Sequence, residues 1–217
     1  METLVTIKVS LVLLPNMEMQ ERIAVKAQEL FLRYGIRSIS MDEIASQLGI
    51  SKKTIYQFYA DKDALVELVV ENMLADNEGA CFNTRSLSEN PVHEIFVALG
   101  LLQNILKVTN PAMVYDLQKY HPAAHQKLTD HYNKFLLKLI AENLEEGKKQ
   151  QLYRQELNTD IIARFRLMSV FMTFHPDLTP SVGKHSLTAV TEEITTLFLY
   201  GITTPKGQKL IQKYQNR

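Results

Sequence analysis

The stretch from Met41 to Lys62, MDEIASQLGISKKTIYQFYADK, constrains the fold of this chain more than any other part of it. Two short segments with the apolar period of a helix flank a turn at Gly49. Ala45 is small enough to let two helices cross closely. Gly49, four residues on, takes the left-handed conformation that ends the first helix without a Cβ penalty. Ile55, six further, returns an apolar side chain to a core shared with Ile44 and Leu48. Ser51 stands where the second helix needs an N-cap, and Lys52, Lys53, Thr54 and Gln57 are its outward positions. Side chains of these types bind phosphates and base edges, so the spacing predicts a helix-turn-helix that reads DNA.

The match extends past the turn. Thr54-Ile55-Tyr56, then Phe58-Tyr59, then Asp61-Lys62-Asp63-Ala64-Leu65 resembles the signature of the TetR family, in which an aromatic-rich recognition helix runs into a lysine at the start of the next helix. The resemblance covers roughly residues 18 to 70 by motif and the remainder by architecture alone. Tyr59 stands where the family most often carries Phe. The resemblance implies an all-α protein: a three-helix DNA-binding head over residues 17–63 and a larger helical body for ligand binding and dimerisation over residues 64–217. Its members are regulators of transcription rather than enzymes.

Charge places the DNA affinity locally. The 24 basic and 24 acidic residues among 217 cancel, so a partner such as nucleic acid must be met by a patch, not by the whole surface. Ser51 to Lys62 supplies Lys52, Lys53 and Lys62 against Asp61, a modest excess that a dimer doubles. The single cysteine, Cys81, excludes an intramolecular disulfide and suits a reducing cytoplasm. It has no local His or basic cluster to activate it. No Gly-rich phosphate loop, paired-carboxylate pattern or Ser elbow is present, and no cofactor is expected.

Residues 1–16 alternate apolar side chains at Val5, Ile7, Val9, Leu11 and Leu13, a strand-like period in an otherwise helical chain. Lys8 interrupts the run and no small-residue cleavage site follows, which argues against a signal peptide. The run is also too short to span a membrane. It reads as a tail outside the fold, or as sequence upstream of a start at Met17 or Met19.

From Glu18 onward the apolar period predicts helices in succession. The first carries Ile23, Ala27, Leu30, Phe31 and Tyr34 on one stripe and ends at Gly35. Ser40 with Glu43 forms a capping-box pattern for the second. Asp61 begins a helix expected to run to about Gly79, with Thr84 to Asn90 as a polar loop after it. Further helices are expected over Pro91–Val108, from Pro111 to before Pro122, and along the stripe Leu128, Tyr132, Phe135, Leu136 and Leu139, stopped near Gly147. Asn158 or Thr159 caps a helix over 161–174, Pro176 and Pro180 enforce a break, and Leu187 to about Tyr200 closes the body. After Pro205, the residues Leu210, Ile211 and Tyr214 predict a short helix packed back on it.

Site residues follow from position and from the resemblance. Lys53, Thr54 and Gln57 are placed at base edges, since Gln pairs with adenine and Lys with guanine. Tyr56 and Lys62 are placed at phosphates, as the resemblance implies for Tyr56. Ser40, Met41, Ser51 and Lys52 lie near the backbone, while Ile44, Ala45, Leu48, Ile55 and Phe58 are core. The last two long helices carry more apolar surface than one body covers. The resemblance implies a homodimer there, with Phe171, Val190, Ile194, Leu197 and Phe198 at the interface.

A small-molecule effector, implied by the resemblance, needs an apolar pocket with polar anchors. Tyr115, His121, His125, Arg166, Met168, Met172 and His175 have suitable chemistry, though they form no motif and also suit plain core. Arg166, on an apolar helix, needs either an acidic neighbour or an anionic ligand. His121 and His125 stand four apart, but Pro122 breaks the pair and no metal is assigned. The reading is a cytoplasmic, homodimeric repressor released from a palindromic double-stranded DNA operator by an unknown effector, with no membrane partner. The alternatives are a regulator of the same fold without a ligand and, remotely, an all-helical enzyme.

Overall fold

A computed structural model describes residues 18–110, 112–172 and 185–215; the N-terminal tail, His175, Pro176 and Pro180 lie outside these. The described residues form α1 (Met19–Tyr34), α2 (Met41–Leu48), α3 (Lys52–Tyr56), α4 (Lys62–Leu87), α5 (Pro91–Val108), α6 (Ala112–Tyr120), α7 (Pro122–Asp130), a π-helical turn (His131–Leu136), α8 (Leu137–Lys149), α9 (Thr159–Phe171), α10 (Leu187–Ile202) and α11 (Pro205–Gln215). No strand occurs among them beyond an isolated bridge between Tyr153 and Thr203.

Two compact units result. The first comprises the chain up to Ala80 together with Thr109–Leu128, and the second Cys81–Val108 with Thr129–Arg217. The contacts thus divide the chain differently from the expected boundary at residues 63 and 64, because α6 and most of α7 pack with the N-terminal helices. In the first unit Ile23, Ala27, Phe31, Ile36, Ile44, Ile55, Leu65, Val66 and Val69 make the core, joined by Met113, Leu117 and Ala124. In the second, Val92, Leu144, Leu152, Tyr153, Ala163, Phe198, Leu199, Ile202, Ile211 and Tyr214 do so. Ile211 and Tyr214 carry α11 back onto the second unit, as their spacing predicts. By length and composition α5 is apolar enough to cross a membrane, with mean hydropathy 1.2, yet α8, α10 and α11 all pack on it.

Several helix boundaries depart from expectation for identifiable reasons. Helix α4 passes Gly79 and continues to Leu87, where the sequence predicted a loop from Thr84. Its polar residues are satisfied on the helix: Thr84 is buried, and Arg85 pairs with Glu94 at 3.2 Å and Glu142 at 2.6 Å. After Asp130 the backbone widens into the π turn, closed by the Leu137 N–H donating to Tyr132 O. This shifts the register of the stripe that Leu128 and Tyr132 begin. There His131 is buried and stacks on Phe135 at 5.0 Å, and the Tyr132 ring lies 3.7 Å from that of Phe171. Helix α8 runs through Gly147 to Lys149, and at Gly147 the buried Tyr153 ring occupies the space where a Cβ would stand.

Tyr153 is fully buried and donates its hydroxyl to Asn143 Oδ1 at 3.1 Å, while Asn143 Nδ2 donates to Pro91 O at 3.0 Å and Glu94 Oε2 at 2.9 Å. A ring held on that many sides cannot retreat. Gly147→Ala is therefore expected to destabilise the protein by about 1–3 kcal/mol, the usual cost of overpacking, measured as a lower urea midpoint at unchanged slope.

Candidate nucleic-acid interface

The helix-turn-helix forms as its spacing predicts. Ser40 caps α2: its hydroxyl accepts the Glu43 N–H at 3.2 Å, and the Glu43 carboxylate accepts the Ser40 N–H at 2.7 Å, a complete capping box. Gly49 ends α2 at φ 66°, ψ 28°, a left-handed geometry that glycine adopts at no steric cost, and its N–H closes on Ala45 O and Ser46 O. Ser51 then caps α3, accepting the Thr54 N–H at 3.1 Å. Ala45, Ile44 and Ile55 are buried between α1, α2 and α3, and Leu48 packs partly buried against them.

Sequence order misplaced one aromatic. Phe58, assigned to the core, is 40% exposed, and Tyr59 is 4% exposed with its hydroxyl donating to Gln20 O at 2.9 Å. The chain turns after Tyr56 without continuing the helix, so the inward position moves by one residue. The extra hydroxyl at the family's usual Phe position thus has a partner on α1.

The expected DNA contacts fall into three groups. Lys53, Tyr56 and Gln57 are exposed, and Lys53 and Gln57, four apart, have no side-chain partner among the described residues. Ser40, Ser51, Lys52 and Thr54 are surface residues committed locally: Lys52 pairs with Asp42 at 2.8 Å, tying α3 to α2, and Thr54 Oγ1 lies 2.9 Å from Ser51 Oγ. The hydrogen bond to Asp42 raises the Lys52 pKa. Met41 and Lys62 differ from expectation. The Met41 side chain is core, at the start of α2. The Lys62 ammonium is half-buried, donates to Ile36 O at 2.6 Å and lies 5.8 Å from the Phe31 ring centroid. Burial pushes its pKa down, against the opposing pull of Asp116, Asp63 and Glu43.

The carbonyl that holds Lys62 belongs to a turn fastened from several directions. Asp116 of α6 is buried and accepts the Arg37 N–H at 2.9 Å. The Asn110 N–H donates to Leu32 O at 2.6 Å, and Ser38 Oγ donates to Tyr34 O at 2.6 Å. Nearby, His121 Nδ1 lies 2.6 Å from Asp63 Oδ1, and Lys127 pairs with Glu67 and Glu71 at 2.7 and 2.6 Å. Sequence reasoning did not find Asp116 or Asp63; the only local signal was a buried-periodicity acid in α6, at Asp116.

The residues expected to line an effector pocket divide between the two units. Tyr115, His121 and His125 belong to the first unit, where Tyr115 is exposed beside Lys119 and His121 serves Asp63. Arg166, Met168 and Met172 belong to the second, and Met168 is 71% exposed. An open cavity of about 570 Å³ in the second unit is lined by Arg85, Glu94, Lys138, Glu142 and neighbours, none of them from the expected set.

The methionines stand instead on an apolar face. Ile161, Phe165, Met168 and Met172 recur along α9 at helical spacing and are exposed, as are Leu197, at 72%, and Tyr200 on α10. Of the residues expected at a dimer interface, Leu197 is exposed, and Val190, Ile194 and Phe171 are partly buried. Phe198 is 5% exposed and belongs to the core of the second unit, a correction forced by its position one residue past Leu197, on the inner side of α10.

Residues 23–69 match the family model of bacterial regulatory proteins, tetR family. The chain is 30% identical over 188 residues to the uncharacterized HTH-type transcriptional regulator YvaF of Bacillus subtilis, covering 85% of this chain and 96% of that one. Its fold resembles a TetR family regulator from Agrobacterium tumefaciens (TM-score 0.72, 17% identity, 85% and 97% of the two chains). It also resembles the ketosteroid transcriptional regulator KstR2 of Mycobacterium tuberculosis (TM-score 0.61, 19% identity, 86% and 96%).

The capping box gives the α2 start a pH dependence. Hydrogen bonds from the Ser40 N–H and hydroxyl hold the Glu43 carboxyl below its ordinary value of 4.5. A depressed carboxyl pKa contributes stability that is present above the unfolded value and lost as pH falls through the folded one. In urea titrations, the midpoint difference between wild type and Glu43→Ala is expected to be full at neutral pH and to narrow below 4.5.

Proposed function

The chain belongs to the TetR family of bacterial regulatory proteins, and on that premise we propose that it is a cytoplasmic homodimer that represses transcription and leaves its operator when a small molecule binds. The observation that carries the DNA-reading part is the pair Lys53 and Gln57, exposed and uncommitted on and just after a helix whose Lys52 and Thr54 are spent on holding it in place. Bidentate Gln with adenine and Lys with guanine are the contacts this pair offers, and Tyr56 offers a hydroxyl to a phosphate. Ser40, Ser51, Lys52 and Thr54 are proposed to border the same surface. Lys62 acts from inside, setting the turn at Ile36 against the start of α4.

A five-residue recognition helix contacts few base pairs, so specificity calls for two heads related by a twofold axis. Half-sites then lie about 34–36 Å apart or a multiple of that. The apolar face of α9 and α10 supports dimerisation, with Ile161, Phe165, Met168, Leu197 and Tyr200 as its members. Effector release is a coupling free energy: the ligand favours a body conformation in which the two recognition helices no longer fit successive major grooves. Selection of bound sequences from a random duplex pool tests the whole reading. An enriched palindrome supports the dimeric reader, and no enrichment from folded protein removes it.

Three further outcomes separate the roles. Gln57→Ala is expected to cost about 1–3 kcal/mol of specific binding and to relax one base position. Lys62→Met is expected to lower the melting midpoint and weaken all sequences alike, leaving the slope of log K against log salt unchanged; loss of a direct phosphate contact would flatten that slope by about 0.9. Leu197→Glu is expected to weaken the dimer by at least about 2 kcal/mol, as for a central interface residue, seen as monomer in sedimentation and as loss of operator binding.

A further inference from the structure

Arg166 sits on α9 inside the second unit, 7% exposed, with no acidic partner among the described residues. Its guanidinium makes a single hydrogen bond, from Nη2 to Thr195 Oγ1 at 3.1 Å, and its carbon lies 5.0 Å from the Phe198 ring centroid. The acids that would be expected to neutralise it are taken. Asp160, on the same helix, accepts from Arg164, and Glu94 is held by Arg85 and by Asn143. Burial lowers the Arg166 pKa to about 10, still far above neutrality, so the group stays charged.

A desolvated cation with most of its five donors unused is costly, and a fold retains one where something else completes it. The unused N–H groups are not sealed in: among the described residues, the enclosed side-chain polar atoms without a partner are Arg22 Nε and Thr109 Oγ1. They therefore keep slight contact with solvent. The Thr195 hydroxyl, buried, accepts from Arg166 and has its own proton uncommitted. Thr191, one turn earlier, is already spent on Leu187 O and Thr188 O. Two donors, one guanidinium and one hydroxyl, thus converge beside an aromatic ring.

We infer that Arg166 and Thr195 form the anchor of a binding site for an organic monocarboxylate with an apolar body. A single positive charge matches a single negative one; a phosphate dianion would call for a second cation, and none pairs with this group. The guanidinium fork and the hydroxyl suit the two oxygens of a carboxylate, and Phe198 suits the carbon skeleton next to it. The inference rests on the reading of the protein as an effector-responsive regulator, because it names the chemistry of that effector.

The test is calorimetric titration of the full-length protein with octanoate and with its neutral counterpart octanamide, alongside Arg166→Met and Thr195→Val. Wild type is expected to bind octanoate at least tenfold more tightly than octanamide. Arg166→Met should bind the two alike, and Thr195→Val should keep a reduced preference. The unliganded Arg166→Met protein should melt no lower than wild type, since it loses an uncompensated charge and not a structural bond. Equal binding of the two probes by wild type, or a melting midpoint several degrees lower in Arg166→Met, overturns the proposal; Thr195→Val keeps the first criterion usable if the Arg166 variant fails to fold. Operator binding measured in the same solutions separates the two readings. Octanoate bound without release of DNA upholds the site and removes its regulatory role. Intact DNA binding without charge preference removes the site and leaves the DNA reader standing.

Discussion

The turn from Gly35 to Arg37 is the constraint on which the first unit depends. It follows α1 and precedes the helix-turn-helix, so a small change in its path would swing α2 and α3 together. Its carbonyl and amide groups are met by side chains from distant parts of the chain: Asp116 takes the Arg37 N–H, and Lys62 supplies Ile36 O. Both groups are ionic and withdrawn from bulk water, where such hydrogen bonds are stronger than at a surface and costlier to leave unmade. Asp116 also stands 3.3 Å from where a Cβ on Gly35 would sit, so the buried acid and the glycine share one space.

The short helix α3 is fastened in the same manner. Five residues cannot hold a helix by backbone bonds alone. Helix α3 is pinned at its start by the Ser51 cap, along one side by Lys52 with Asp42, through its middle by buried Ile55, and just past its end by Tyr59 on Gln20. Each pin consumes a polar or apolar group facing the protein. What remains facing outward is small.

Local signals in the sequence were enough for the elements whose geometry local chemistry dictates. The capping box at Ser40 and Glu43, the left-handed Gly49, the Asn158 cap and the bounds of α5 all follow from residue types within a few positions of each other. What depended on distant partners was not legible. Helix α4 outran its expected end because Glu94 and Glu142 satisfy Arg85. Gly147 is no stop signal, and the Tyr153 ring fills the space of its missing side chain. Lys62 turned inward toward a carbonyl that no spacing rule connects to it. On α9 the period was readable, but an apolar stripe does not say which side is core; only packing distinguished buried Arg166 from exposed Met168.

The first unit is discontinuous in sequence: the chain leaves it at Ala80 and returns for Thr109–Leu128. During synthesis, therefore, the helices that read DNA emerge well before the residues that fasten them. Until α6 and α7 have left the ribosome, Arg37 lacks its acceptor and Met113, Leu117 and Ala124 are missing from the core. Domains generally fold as units as they are made, so this head completes itself only after the first stretch of the second unit has been translated. A nascent chain interrupted before residue 109 would carry every side chain proposed for base contact and still lack the residues that complete the core of the first unit. The order of translation thus delays completion of that core until part of the second unit exists.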